Sequence, residues 1–267
     1  MGTARFFVKE QYFDFLNREP DTAGWDYWTG QITGCGADTN CTRQHRVDVS
    51  NAFFFELEYQ QTGAFVYRLY RAAYGNTQPM PNSESAALPA YSAFVDDRSR
   101  IIGGLNLATA QLALANAFVQ RAAFTTRYPA SLTSAQFVDA VLANIQTSTG
   151  ADLTTQRTLL INLADISGRG AVMYRLVDDS SSNPIANSAF LNAEYNKAFV
   201  LTQYFGYLRR DTDLAGFNFW LGIVNRFPLR SATGQNAMVC AFITATEYQQ
   251  RFNANATRAN SECPAVP

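Results

Sequence analysis

At 267 residues the chain exceeds the usual domain of ~100–200 residues, so it holds either two compact lobes or one continuous repeat array. Hydrophobic residues are 47% and aromatics 13%, which is ample for a core, and no run approaches the ~18 consecutive apolar residues of a membrane span. With 21 basic and 22 acidic residues the formal net charge is −1, an excess too small to neutralise phosphates, so nucleic acid is not an expected partner.

From the start of the chain, Met1-Gly2-Thr3-Ala4-Arg5 shows no basic segment followed by an apolar one, so no signal peptide is visible. Apolar residues at Val8, Tyr12, Phe15 and Leu16 then recur at i, i+4, i+7 and i+8, which predicts a helix with one buried stripe. Pro20 cannot continue that helix. Asp21 is a good N-cap, so a second helix begins there and carries Trp28. Gly24 in its first turn costs helix propensity, which implies close approach of the backbone to a neighbouring aromatic. The segment from Gly34 to Cys41 reads as a connection. Phe53-Phe54-Phe55 spans too wide an arc for one helix face, so that helix either packs on two sides or shows one ring to solvent.

The opening block returns 192 positions later. Phe199 to Trp220 matches Phe7 to Trp28 at 11 of 22 positions, keeping Arg210, Asp213, Gly216 and Trp220 in the places of Arg18, Asp21, Gly24 and Trp28. A second shared block pairs Ala52-Phe53 and Glu58-Tyr59-Gln60-Gln61 with Ala241-Phe242 and Glu247-Tyr248-Gln249-Gln250. Two degenerate copies lie between, opening at Phe65-Val66 and Phe137-Val138. The expected organisation is therefore all-α, with four tandem three-helix modules at 7–62, 65–128, 137–196 and 199–253 and a tail at 254–267. The modules either stack or close into a pseudo-symmetric globule.

Cys35, Cys41, Cys240 and Cys263 sit in polar, loop-like or tail surroundings, which favours disulfides and an oxidising compartment. Four cysteines allow three connectivities; Cys35–Cys41, closing a small loop, and Cys240–Cys263, tying the tail to a helix, are the preferred pairs. The metal reading is weaker, because five residues separate the close pair and His45 is the sole histidine.

The string Leu16-Asn17-Arg18-Glu19-Pro20-Asp21-Thr22-Ala23-Gly24-Trp25-Asp26-Tyr27-Trp28, with Phe7-Val8 and Tyr12 before it and Ala52-Phe53 and Glu58-Tyr59 after it, resembles a bacterial domain of unknown function, DUF4214. The resemblance is specific in the first and last copies and weak in the middle two. Asn17 replaces the family's usual Gly, and Thr212 stands where the first copy has Pro20. The resemblance implies tandem modules in exported or surface proteins, a distant likeness to phycobilisome linker domains, and a structural or interaction role by association.

No catalytic apparatus is legible. His45 lies in Arg43-Gln44-His45-Arg46, which reads as a solvated helix face, and oxidised cysteines leave no Cys–His dyad. Gly103-Gly104 and Gly168-Arg169-Gly170 lack the context of a phosphate loop, and no cofactor is expected. Arg18 with Asp21, and Arg210 with Asp213, read as caps and their partners rather than as a ligand site; a calcium site at Asp21 and Asp26 is weakened by Asn218 at the second position. Glu58, Glu194 and Glu247, each before a Tyr, read as helix-packing or capping residues.

The expectation is a non-enzymatic extracellular or cell-surface module that binds protein, itself or a surface partner. A carbohydrate-binding module is the alternative and an uncharacterised hydrolase the third. Self-association is expected through the apolar ends Phe6-Phe7-Val8, Phe242-Ile243 and Phe252, unless the two ends cover each other.

Overall fold

The computed structural model describes residues 3–102, 106–256 and 263. Its architecture is all-α: among the described residues the only extended pairing is an isolated bridge between Pro81 and Pro89. The helices are α1 (Ala4–Gln11), α2 (Thr22–Thr33), α3 (Thr39–Phe55), α4 (Leu57–Gln61), α5 (Gly63–Tyr74), α6 (Tyr91–Ile102) and α7 (Leu107–Phe118). They continue as α8 (Ala122–Arg127), α9 (Ser134–Thr149), α10 (Arg157–Val177), α11 (Ser188–Gln203), α12 (Leu214–Val224), α13 (Ala232–Thr244) and α14 (Thr246–Gln250). None is long and apolar enough to cross a membrane.

Two compact units form. The first joins residues 1–59 to 199–267 and the second is the continuous stretch 60–198. The first unit thus holds the segments expected to be the first and last copies, and the second unit the stretch between them. Two details of the helices differ from three separate helices per copy. A one-turn helix, α4 or α14, follows the three helices of the first and last copies, and α11 runs unbroken through the boundary expected at 196–199. Gly103-Gly104 and most of the 254–267 tail lie outside the described residues.

In the first unit, α1 and α11 each pass directly into a five-residue π-helical turn, Tyr12–Leu16 and Tyr204–Leu208. Both turns end on a left-handed residue, Asn17 at φ 55° and Arg209 at φ 52°. The periodicity predicted plain α-helix here. The equivalent residues Phe15 and Tyr207 meet edge to face at 5.2 Å, so the two π turns pack against each other. Gly206 keeps the approach close, since a Cβ there would lie 3.1 Å from the Phe15 ring.

In the second unit α5 is buried on every face, including its two arginines, Arg68 and Arg71, which pair with Asp179 and Glu194. It packs against α6, α9 and α10. Helix α10 breaks at Gly168, whose φ of 80° and ψ of 176° leave the helical region.

Candidate functional site

Nearly all of the recurrent motif is committed to holding the fold. The Asp21 carboxylate accepts from the Gly24 backbone N–H at 2.8 Å and Asp213 from Gly216 at 2.6 Å, so both cap α2 and α12. That hydrogen bond holds the Asp21 carboxyl below its usual range. A Cβ on Gly24 would overlap the Tyr12 hydroxyl, and one on Gly216 the Tyr204 hydroxyl, which is the close aromatic approach the sequence implied.

Arg18 forks the Glu58 carboxylate at 2.6 and 2.7 Å and lies over the Tyr12 ring at 5.0 Å. Arg210 repeats both contacts, with Glu247 at 2.6 and 3.1 Å and Tyr204 at 5.6 Å. The Glu of each Glu-Tyr pair is therefore an arginine acceptor rather than a cap. The third of them, Glu194, accepts from Arg71 at 2.8 Å and from the Tyr67 hydroxyl at 2.6 Å, fully buried. Trp28 packs 5.7 Å from Phe53 and Trp220 6.2 Å from Phe242. Asp26 pairs with Arg5 at 2.6 Å, while Asp21 faces Arg18 at 3.7 Å.

What the fold leaves exposed at matching positions of the first and last expected copies is one aromatic each. Tyr27 on α2 is 59% exposed and its equivalent Phe219 on α12 is 56% exposed. Each meets the following Trp edge to face, at 4.9 and 5.1 Å. Each is flanked by exposed small residues four before and three after: Ala23 and Gly30 around Tyr27, Ala215 and Gly222 around Phe219. Nothing lies within 4 Å of where a Cβ on Gly30 or Gly222 would stand, so packing does not demand glycine at either place. Of the Phe53–Phe55 run, Phe53 and Phe54 are buried and Phe55 is 37% exposed.

The apolar ends are not free surfaces. Phe7, Val8, Phe242 and Ile243 are buried and the Phe6 and Phe252 rings meet at 5.2 Å within the first unit, so the expected route to self-association through these residues is corrected.

Behind the π turns lies a polar network. The buried Asp14 carboxylate accepts from Arg251 at 2.8 and 3.1 Å, from Arg209 at 3.1 Å and from the Tyr248 hydroxyl at 3.4 Å. Burial pushes the Asp14 carboxyl above its usual range, against the pull of its hydrogen bonds from Arg251. Burial likewise raises the Tyr207 hydroxyl, which meets Ser50. A cavity of ≈ 420 Å³ beside this network is lined by Glu10, Phe13, Leu208, Arg209, Arg251 and Phe252. Its two arginines are already matched by Asp14 and Glu10. In the second unit a cavity of ≈ 550 Å³ opens at the α10 break, where Arg169 donates to the carbonyls of Tyr128, Pro129 and Leu132.

Cys35 is bonded to Cys41 and Cys240 to Cys263, the preferred pairs. Cys41 lies in the first turn of α3, which the Asp38 carboxylate caps, so the connection is shorter than the sequence suggested. Cys240 is on α13. The sequence reading also missed that His45 stands beside the first disulfide.

No curated protein and no solved structure matches the chain. Residues 2–41, which hold α1, its π turn, the capped α2 and the first residues of α3, match the family model described as Domain of unknown function (DUF4214).

Proposed function

We propose that this chain is a non-enzymatic structural or interaction module of an exported or cell-surface protein, built from repeated helical copies, that meets a protein partner, including another copy of itself, through the matched faces of α2 and α12. The observation that carries the reading is the pair Tyr27 and Phe219. In two copies that share only half their opening block, the same position keeps a large exposed ring between small neighbours, although the surrounding motif residues are absorbed by capping, ion pairing and packing. Recurrent exposed aromatics of this kind are the anchors that dominate protein interfaces. The two disulfides support an oxidising compartment.

A carbohydrate ligand is the second reading, favoured by the same small neighbours, which leave the ring faces clear for a sugar to stack, and by the loss of the hydroxyl between Tyr27 and Phe219.

Light scattering over a concentration series, with the parent and a Tyr27→Ser, Phe219→Ser double variant, tests the leading reading. Concentration-dependent association in the parent, abolished in the variant, supports it. A strict monomer whose retention on a glycan array falls in the same variant transfers the faces to the carbohydrate reading. Equal behaviour of parent and variant in both assays removes both readings.

A further inference from the structure

The Cys35–Cys41 disulfide has an imidazole beside it. Cys35 lies just after α2, Cys41 in the first turn of α3, and His45 one turn further along the same helix face. Their ligand atoms, two sulfurs and a ring nitrogen, all lie within 4.8 Å of one another, and among the described residues no other group of three or more His, Cys, Asp or Glu side chains gathers in this way.

The sulfur–sulfur bond is not the only feature that holds the cluster together. Asp38 accepts from the backbone N–H of Asn40 at 2.9 Å and of Cys41 at 3.0 Å, which fixes the start of α3, and Cys41 and His45 are held by the helix itself. Gly36 at φ 56° lets the connection turn back so that Cys35 reaches Cys41, with Cα atoms 5.5 Å apart. A zinc ion held at ~2.3 Å by sulfur and ~2.0 Å by nitrogen sets its ligands about 3.3 to 3.8 Å from one another, inside the 4.8 Å within which these atoms already lie.

We infer that Cys35, Cys41 and His45 form a site for a thiophilic divalent cation of tetrahedral preference, shut while the disulfide stands and opened by its reduction. Two equivalents of a small thiol supply the two electrons: the Cys35–Cys41 bond breaks to two cysteine thiols and the reductant leaves as its own disulfide. Binding of Zn²⁺ then displaces the two thiol protons to solvent, giving two thiolates, one neutral imidazole and a water around the ion. Two sulfurs and one imidazole select zinc-like ions over calcium or magnesium, which want oxygen. The loop between α2 and α3 is then closed in either redox state, covalently when oxidised and by the metal when reduced.

The test uses the full chain, reduced with a phosphine that itself supplies no thiol, and titrated anaerobically with Co²⁺ followed by Zn²⁺. One Co²⁺ per chain, with a thiolate-to-cobalt charge-transfer band that Zn²⁺ abolishes, is expected from the reduced protein and not from the oxidised protein. A Cys240→Ser, Cys263→Ser variant should behave as the parent, while His45→Ala and, as a second variant, His45→Asn should weaken Co²⁺ by at least roughly tenfold. The inference is overturned by a reduced parent without the band, by equal binding in the oxidised protein, by a band that survives Cys35→Ser with Cys41→Ser, or by histidine variants that bind like the parent.

Discussion

Gly24 and Gly30 stand six residues apart on α2 and would meet a methyl group in opposite ways. Gly24→Ala drives a Cβ into the Tyr12 hydroxyl and the Asp21 carboxylate, so it should cost about 1–3 kcal/mol in urea unfolding. Gly30→Ala enters open space in a helix interior and should stabilise by about 0.5–1 kcal/mol. If both changes destabilise, the face around Tyr27 is part of the fold after all. Asp14 gives a pH-dependent counterpart. Its folded pKa is raised by burial, so the folded state binds this proton more tightly than the unfolded chain. The stability of the parent relative to Asp14→Asn should be greatest below pH 3.8, the carboxyl's ordinary value, and fall as pH rises through the folded pKa before levelling off. A difference that instead grows with pH would show that Arg209 and Arg251 outweigh the burial. The Asp21 cap and the Gly24 contact were legible in the sequence because each rests on one local rule. Asp14 was not: its partners Arg251 and Arg209 lie some 200 positions away, and nothing local marks a carboxylate for burial.

Among the elements, the two π turns show what periodicity conceals. Val8, Tyr12, Phe15 and Leu16 fit a helical stripe, and they are all buried; yet the chain winds one turn wide at Tyr12–Leu16, which a spacing pattern read at 3.6 residues per turn does not register. The π turn recurs at Tyr204–Leu208 and is absent at the corresponding stretches of α5 and α9, so it travels with the Arg–Asp–Gly–Trp motif. The Glu-Tyr repeats show a second limit. Sequence treats Glu58, Glu247 and Glu194 alike, but tertiary burial separates them. The Arg18–Glu58 pair is about one-third exposed on each side, whereas Arg71 and Glu194 are both buried. Glu58→Gln should therefore cost no more than about 1 kcal/mol. Glu194→Gln leaves Arg71 buried without its counter-charge and should cost about 3–5 kcal/mol in the same urea experiment. Equal costs would mean that the two pairs are solvated alike.

For the molecule as a whole, the sequence repeat showed which segments resemble one another, and the structure shows which of them share a core. The first and last expected copies fall in one unit because rings from each, Phe15 with Tyr207 and Phe54 with Phe199, complete each other's packing. Helices α4 and α11 each run across a point where the chain passes from one unit to the other, and the unbroken run of α11 was hidden because it closes one expected copy and opens the next. Residues 57–203, which keep both of these helices whole, should unfold cooperatively when expressed alone and show helical circular dichroism. Residues 1–59 alone should not, since their packing partners begin at Phe199. A cooperative transition in the short piece would contradict the shared core.

The split in the first unit also imposes a schedule. Phe15 and Phe54 leave the ribosome before residues 60–198, but their ring partners Tyr207 and Phe199 are made only after that stretch. At ~5–20 residues per second that interval is on the order of 10 s, far longer than collapse of the continuous second unit requires. The middle of the chain is therefore free to fold while the beginning waits, rich in unprotected rings, for the end to arrive.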